Sequence, residues 1–436
     1  MRRLLALLVA VSLVAGCDSG GGGTPEPKPR PSPAITDQEL GEHLDALQRI
    51  ANDNGGTRAV GTHGYEASAD YVAARLRDAG WTVSRQAVPF TYFRLDRASV
   101  AIGGRTLTRA RQFQVLSYSG SGRAEGRLRA SGDGCEAEDF DELEGGEIPL
   151  VDRSGCFFRQ KAAAAERAGA DALVVDEPVR SRRGVPSGTL AVPGIAIPVV
   201  LVSARALGEA GDGTPASVMV DAISRGGRAE NVIAETPGGS GDRIVMAGGH
   251  LDSVAGGPGI NDNGSGAATL IEAAEAIGPK PPGARVRLGF WTAEEVGLYG
   301  SRQYVRSLDE GERRRIRAYI NLDMVGSPNA VPELYGDGDA GLGRVLRRAY
   351  GGRLGQIRAG QSSDHASFQA AGIPINGLYT GSDEPGRGGR PRDPCYHLSC
   401  DTVRNVNRRA LLRMARTTAR ALLTLSARHR QRRGGR

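Results

Sequence analysis

Three apolar segments of the sequence run into acidic or histidine residues, the side chains that most often bind metal ions and move protons. They are DRIVMAGGHLDS with His250 and Asp252, ARVRLGFWTAEE with Glu294 and Glu295, and RAYINLDMVG with Asp323. In an open α/β sheet, ligands bind beyond the carboxyl ends of the strands. The three segments therefore predict strands that deliver polar residues to one functional site.

Two further candidates lie in loops. Asp262 belongs to the Gly-rich segment GPGINDNGSG before a predicted helix, where its side chain could instead only cap that helix. His397 lies in DPCYHLSC, where Cys395 and Cys400 could be soft metal ligands or a small disulfide ring. The five candidate ligands are His250, Asp262, Glu295, Asp323 and His397. If one carboxylate bridges, this set of nitrogen and oxygen donors can hold two zinc-type cations for hydrolysis.

The carboxylates differ in the role that their surroundings favour. Glu294 and Glu295 follow the apolar run LGFW, so one can bind a cation while the other activates water. Asp323 lies within the apolar run INLDMVG, and a buried charge needs a partner or a metal. These contexts favour a catalytic site over solvated surface acids.

The N-terminal segment MRRLLALLVAVSLVAGC is typical of a bacterial lipoprotein signal, with residues 1–16 removed and Cys17 lipidated. The Gly- and Pro-rich residues 17–35 then form a predicted tether. We expect an exported protein anchored by lipid to the outer side of the cytoplasmic membrane or to the cell surface, and a monomer. A plain signal peptide with an incidental cysteine is the alternative.

Without Cys17 the chain has four cysteines, an even number that suggests two disulfides in an exported protein. Three pairings are open, and the short separations favour Cys135 with Cys156 and Cys395 with Cys400. The net charge of +7 owes much to the basic C-terminal end, residues 427–436. We interpret that end as a solvated tail, because the chain carries no nucleic-acid-binding signature.

The 436 residues exceed what one core usually serves, so we expect two domains or one domain with a large insertion. Residues 36–97 and 226–426 alternate helical and strand patterns and predict an α/β domain with a mixed, mostly parallel sheet and helices on both faces. Residues 98–225 have shorter strands, more turns and the helix QKAAAAERAGA. This part resembles a protease-associated domain, a small, mainly β module inserted in exported peptidases, although a generic strand-helix-strand unit would look similar.

The motifs HLDSV, GINDNGSG, TAEEVGLYGS, NLDMVG, SDH and DPCYHLSCDT occur in this order and resemble those of the M28 family of co-catalytic zinc peptidases. The resemblance implies a phosphorylase/hydrolase-like exopeptidase fold and an aminopeptidase with two zinc ions. It implies that His250 and Asp323 bind one zinc, that Glu295 and His397 bind the other, and that Asp262 bridges them.

The resemblance also implies roles beyond the metal ligands. Glu294 would be the general base, Asp252 would orient the His250 imidazole, and Tyr396 would donate its hydroxyl to the oxyanion. Glu294 and Asp323 would also read the free amine of a peptide substrate. The segment GQSSDHASF departs from the family, since Ser362 stands where some relatives have arginine. We expect Asp364 and His365 either to line the substrate pocket or to support the residues that line it.

Other functions remain open at this stage. The same fold serves carboxypeptidases and single-zinc glutaminyl cyclases, and a non-catalytic surface binding protein could retain it. The presence of both histidines and of Asp262 favours two metals. The presence of every expected ligand and of the base favours an enzyme.

Overall fold

The computed structural model describes residues 35–178, 185–186 and 188–433. The predicted signal at 1–16, Cys17, nearly all of the tether and the last three residues of the basic tail lie outside this part of the chain. Among the helices that the structure describes, none is long and apolar enough to cross a membrane.

The described part of the chain forms ten α-helices and fourteen β-strands. The helices are α1 Asp37–Asp53, α2 His63–Asp78, α3 Phe158–Arg167, α4 Ala204–Leu207, α5 Ser265–Ile277, α6 Tyr299–Ser307, α7 Glu310–Arg315, α8 Ala340–Tyr350, α9 His365–Ala370 and α10 Arg408–Arg433. The strands are β1 Thr82–Ile102, β2 Arg105–Thr106, β3 Phe113–Val115, β4 Gly122–Ala130, β5 Glu147–Asp152, β6 Leu173–Glu177, β7 Val199–Ser203, β8 Pro215–Glu235, β9 Ser240–His250, β10 Ala284–Trp291, β11 Ile316–Leu322, β12 Glu333–Tyr335, β13 Gly355–Ile357 and β14 Ile375–Tyr379.

The strands follow the order β13-β12-β14-β11-β9-β10-β8 in the part of the sheet that carries the predicted site. β9 pairs in parallel with β10 and β11, and β11 pairs in parallel with β14, whereas β8 and β12 are antiparallel to their neighbours β10 and β14. This mixed, mostly parallel sheet confirms the predicted fold class.

Alternate residues of the central strand β9 pack into two different cores. Val245 and Ala247 join the core formed with α1, α2, α5 and α10, whereas Ile244 and Met246 join a second core with α6 and α9. Because side chains along a strand point to opposite faces, helices cover both sides of the sheet.

The helix α1 begins the helical and strand pattern that the sequence predicts from residue 36. Thr36 and Glu39 form a capping box at its start, and Leu40, Leu44 and Leu47 are fully buried on its inner face. The chain then forms a loop at 54–62 before α2, and this loop carries Arg58 into the sheet edge near the predicted site.

The long strands β1 and β8 join the insert to the main sheet. They pair antiparallel from Thr82↔Glu235 to Ile102↔Ala216, with one register shift near Leu95. One end of β8 pairs with β10, and the other end pairs with β4 of the insert. The predicted insert limits at 97/98 and 225/226 therefore fall inside two paired strands rather than in loops.

Candidate active site

The strands of the main sheet place four of the candidate residues at one edge. His250 is the last residue of β9, Asp323 directly follows β11, and Glu294 and Glu295 come shortly after β10. The pairing Trp291↔His250 aligns the ends of β9 and β10. Because these strands run in the same direction, their carboxyl ends meet at one edge and bring the side chains together.

Two loops complete the cluster. Asp262 lies in an irregular turn at 260–264 that leads into α5, and the peptide bond that follows it is cis. His397 lies in the ring closed by the Cys395–Cys400 disulfide. The Cys135–Cys156 disulfide is also present, so the structure contains both disulfides that the sequence favours.

The five candidate ligands form two clusters that share Asp262. His250 Nε2 lies 3.2 Å from Asp262 Oδ1 and 3.3 Å from Asp323 Oδ1. His397 Nε2 lies 3.2 Å from both Asp262 Oδ2 and Glu295 Oε2. In each cluster the ligand atoms lie within 4.8 Å of one another, and each oxygen of Asp262 faces a different histidine.

The donor set fits divalent zinc. Each cluster offers one imidazole nitrogen and carboxylate oxygens, the ligands that hydrolytic zinc sites use. Glu295 Oε1 is buried and has no hydrogen-bond partner among the described residues, so this carboxylate retains an oxygen that can accept a cation. The carbonyl oxygen of Asp252 lies 3.0 Å from His250 Nδ1, and a carbonyl can only accept. Nδ1 therefore carries the proton, and Nε2 is free to bind a metal.

The charges of this pocket shift the pKa values of its members. Burial, reinforced by the neighbouring Asp262 carboxylate, raises the pKa of Glu295 to about 7. Burial would lower the pKa of His397, but hydrogen bonds to Asp262 and Glu295 outweigh it and raise the pKa to about 10. Glu295 and His397 thus hold their protons more tightly than usual, and a divalent cation can replace these protons.

Glu294 lines the same cavity without belonging to either ligand cluster. Burial raises its pKa well above the usual value, and the neighbouring carboxylates of Asp364, Asp323 and Glu295 act in the same direction. A raised pKa makes a carboxylate a better proton acceptor at neutral pH, which suits the expected base.

Asp252 contacts the site differently from the expectation. The His250 imidazole bonds to the backbone oxygen of Asp252, and the nearer carboxylate oxygen of Asp252 is 3.7 Å from Nδ1. The carboxylate accepts instead from the backbone amides of Glu294 and Glu295, at 3.2 and 3.3 Å. Asp252 therefore fixes the loop that carries the two glutamates as well as lying beside His250.

Backbone conformations with positive φ occur beside the candidate residues. Ala293 precedes Glu294 with φ of 54°, Met324 follows Asp323 with φ of 56°, and His397 itself has φ of 58°. Such conformations are costly for residues other than glycine and cluster at functional sites. The surrounding fold therefore stabilises unfavourable backbone conformations at the positions that carry or adjoin the candidate residues.

A cavity of about 290 Å³ opens at the two clusters. Tyr396 lines it and stacks on His397 at 3.8 Å between ring centroids. The residues that line the cavity are His250, Asp262, Glu294, Glu295, Gly297, Leu298, Asp323, Met324, Ser362, Tyr396 and His397. Every expected metal ligand, the expected base and Tyr396 therefore face one space.

Asp364 was expected either to line the substrate pocket or to support the residues that line it. Its side chain is fully buried and does not line the cavity, and its carboxylate contributes to the raised pKa of Glu294. It follows Ser362 and Ser363 into α9, so the chain has already turned into the core at this position. Ser362, where some relatives have arginine, is the residue of this segment that lines the cavity.

Two residues that were not predicted from the sequence form hydrogen bonds with the loop bearing Asp262. Arg58 donates to backbone carbonyls of that loop, and Asp401 accepts from the amides of Asn261 and Asp262. Asp401 directly follows the ring cysteine Cys400, which could have drawn attention to it. No local pattern singles out Arg58, which lies in a loop far away in sequence.

The sheet, the strand-end ligands and the zinc-type donor set define a metallopeptidase of the zinc exopeptidase type. The model of the family "Peptidase family M28" matches residues 231–422, and the model "PA domain" matches residues 124–210. The chain is 39% identical over 415 residues to "Probable lipoprotein aminopeptidase LpqL" of Mycobacterium tuberculosis, covering 85% of this chain and 81% of the relative.

Solved structures of aminopeptidases also match this chain. An aminopeptidase from Aneurinibacillus sp. strain AM-1 matches with a TM-score of 0.71 and 25% identity, over 89% of this chain and 93% of that one. BSAP, a zinc aminopeptidase from Bacillus subtilis, matches with a TM-score of 0.64 and 27% identity, over 91% and 96%. The chain belongs to peptidase family M28, with a protease-associated domain inserted, and it is a zinc aminopeptidase.

Proposed function

We propose that this aminopeptidase uses two zinc ions to remove N-terminal residues from peptides outside the cytoplasm. The observation that carries the proposal is the placement of Asp262, whose two carboxylate oxygens each lie 3.2 Å from a different histidine. A carboxylate in this position can bridge two cations. His250 and Asp323 would complete one site, and Glu295 and His397 the other.

The ions, when bound, would polarise the scissile carbonyl and acidify the attacking water. Glu294 lines the cavity beside both clusters and accepts the proton of that water, and its raised pKa makes its carboxylate a stronger proton acceptor than an ordinary glutamate. It then returns the proton to the leaving amine. Asp252 holds the backbone amides of Glu294 and Glu295 and so keeps the base in place.

Two residues serve the substrate directly. Tyr396 faces the cavity, and its hydroxyl donates a hydrogen bond to the oxyanion of the tetrahedral intermediate. Burial and nearby carboxylates raise the pKa of Tyr396, so its phenol keeps the proton that it must donate. Glu294 and Asp323 present carboxylates to the substrate's α-amine, which gives the site its preference for a free N-terminus.

Location and domain organisation belong to the same proposal. A signal at 1–16, lipidation of Cys17 and the tether at 17–35 would hold the enzyme on the outer side of a membrane, in keeping with the word lipoprotein in the name of the mycobacterial relative. The peptidase domain would comprise residues 36–97 and 226–426, with the insert at 98–225 and the basic tail at 427–436. The enzyme would be a monomer.

A peptide-library digest read by mass spectrometry tests the activity. We expect trimming from the amino end that stops when a chelator is added and returns with zinc. Blocking the α-amine by acetylation should abolish cleavage of an otherwise good substrate. Trimming from the carboxyl end, or trimming that survives chelation, would contradict the proposal.

A further inference from the structure

The loop 251–262 joins two of the proposed metal ligands. It begins directly after His250 and ends at Asp262, the residue shared by both clusters. Whatever fixes this loop therefore fixes the position of the shared carboxylate relative to the first histidine. Helices and strands do not do so, because the loop has no regular structure before its final turn at Ile260–Gly264.

Arg58 binds the carbonyl groups of this loop from one side. Its side chain is fully buried, and it donates from Nη1 to Leu251 O at 2.5 Å, from Nε to Pro258 O at 2.8 Å and from Nη2 to Gly259 O at 2.6 Å. The backbone amide of Arg58 also donates to Ser253 Oγ at 3.0 Å. A planar guanidinium can reach three carbonyls at once, and an ammonium group on a lysine stem cannot match that geometry.

Asp401 binds amide groups of the same loop from the other side. Its two carboxylate oxygens accept from the backbone N–H of Asn261 and of Asp262, each at 2.9 Å. Its backbone oxygen accepts from the N–H of Ile260 at 3.1 Å. Because Asp401 directly follows Cys400, it connects the disulfide ring that carries His397 to the turn that carries Asp262.

The electrostatic setting argues against a purely incidental role. Arg58 is a buried cation whose field favours the nearby carboxylates of Asp252, Asp401 and Asp262. Burying a charge is costly unless it is compensated, and here three backbone carbonyls accept from the Arg58 guanidinium while the carboxylates of the site oppose the lowering of its pKa by burial. The positive charge also offsets part of the repulsion among carboxylates that must converge on cations.

We propose that Arg58 and Asp401 are positioning residues that hold Asp262 in place for both metal ions, Arg58 through the loop carbonyls and Asp401 through the amides. The bridging part of this statement rests on the proposed two-zinc function. Neither residue lines the cavity, so neither contacts the substrate.

The test compares R58K and D401N with the control K161M in the purified full-length chain. Lys161 is also a fully buried cation that donates to backbone carbonyls, those of Asp133 and Ser154, but it lies in the insert. Zinc dissociation constants are measured by competition with a chromogenic chelator, alongside melting temperatures with and without chelator. R58K retains the charge, and D401N retains the size while turning an acceptor into a donor.

We expect R58K and D401N each to weaken zinc binding about 10- to 100-fold and to lower kcat more than they raise KM. Excess zinc should restore part of kcat. K161M should lower the melting temperature and leave zinc affinity unchanged. Wild-type zinc affinity in D401N, or an equal loss in K161M, would overturn the proposal, and D401N decides the matter if R58K does not fold. A wild-type enzyme that binds one zinc would instead contradict the two-zinc function, and it would leave the effect of Arg58 on that zinc measurable.

Discussion

Two disulfide-bonded loops, one in the insert and one beside the metal ligands, have different surroundings. The Cys135–Cys156 bond joins residues 21 apart, and the buried Lys161 lies 3.6 Å from Cys135 Sγ. The Cys395–Cys400 bond joins residues only 5 apart and encloses Tyr396 and His397. By loop entropy the longer loop stabilises by about 3 kcal/mol and the shorter one by about 2 kcal/mol.

The shorter loop stabilises the chain less, but its contacts make it the more important of the two loops for catalysis. Asp393 and Asp401 flank the active-site ring, and both bond to Asn261 in the turn that bears Asp262. Asn405 donates to both of these carboxylates, at 2.9 and 3.0 Å. Among the residues that the structure describes, no hydrogen bond joins the loop between Cys135 and Cys156 to the candidate metal ligands. A disulfide can therefore act mainly on stability or mainly on geometry, depending on which residues its loop contains and contacts.

The largest contrast between the two regions should come from the base. Glu294→Gln is expected to lower kcat about a thousand-fold, because general base catalysis is lost while the ligands remain. Zinc content, measured by elemental analysis, should not change. The matched control is Asp176→Asn, which removes an insert carboxylate whose pKa is also raised by burial. Loss of zinc from the Glu294 variant would mean that Glu294 is a ligand.

A second, smaller effect is expected at Asp252. Asp252→Asn replaces the acceptor for the amides of Glu294 and Glu295 with a group that cannot accept both, so the two glutamates should shift. We expect kcat/KM to fall about 10- to 100-fold. Steady-state kinetics at saturating zinc measures this. An unchanged kcat/KM would show that the backbone oxygen of Asp252 alone is sufficient.

Loss of the disulfide between Cys395 and Cys400 should lower catalytic activity by a still smaller factor. Replacing Cys395 and Cys400 with serine frees the backbone that holds His397 at φ of 58° and should lower kcat about 10-fold. The melting temperature should fall less than it does after loss of the insert disulfide. Full activity in the double variant would show that the ring only stabilises the chain.

The smallest effect on catalysis is expected in the insert. Replacing Cys135 and Cys156 with serine should leave kcat/KM unchanged while lowering the melting temperature, because the longer loop constrains the unfolded chain more. Calorimetry and kinetics on the same preparation measure both. A large loss of kcat/KM without a change in melting temperature would show that the insert acts on the active site.

The sequence predicted most of the site because its signals are local. Apolar runs that end in His250, Asp323 and the pair after β10 identify strands, and parallel strands bring their ends together. The burial of Asp364 was not predicted, because a polar motif does not show which side chains turn into the core. Arg58 was missed because its contacts span about 200 positions of the chain, a distance over which a single sequence carries no pattern.

The limits of the insert could be predicted only in part, because they depend on contacts between segments that are far apart in sequence. Short strands and turns marked a change of texture near residues 98 and 225, but the long pairing of β1 with β8 is set by contacts between segments far apart. The β1–β8 pairing continues from the main sheet into the insert, and neither strand alone shows in sequence that it does so.

The central claim, that Asp262 joins two zinc sites, is tested most directly by zinc titration of the chelator-stripped enzyme. Bound zinc and hydrolysis of a leucine anilide are followed together as zinc is added. We expect binding to saturate at two zinc ions per chain, with full activity reached only at the second. Saturation and full activity at one zinc ion would contradict the claim.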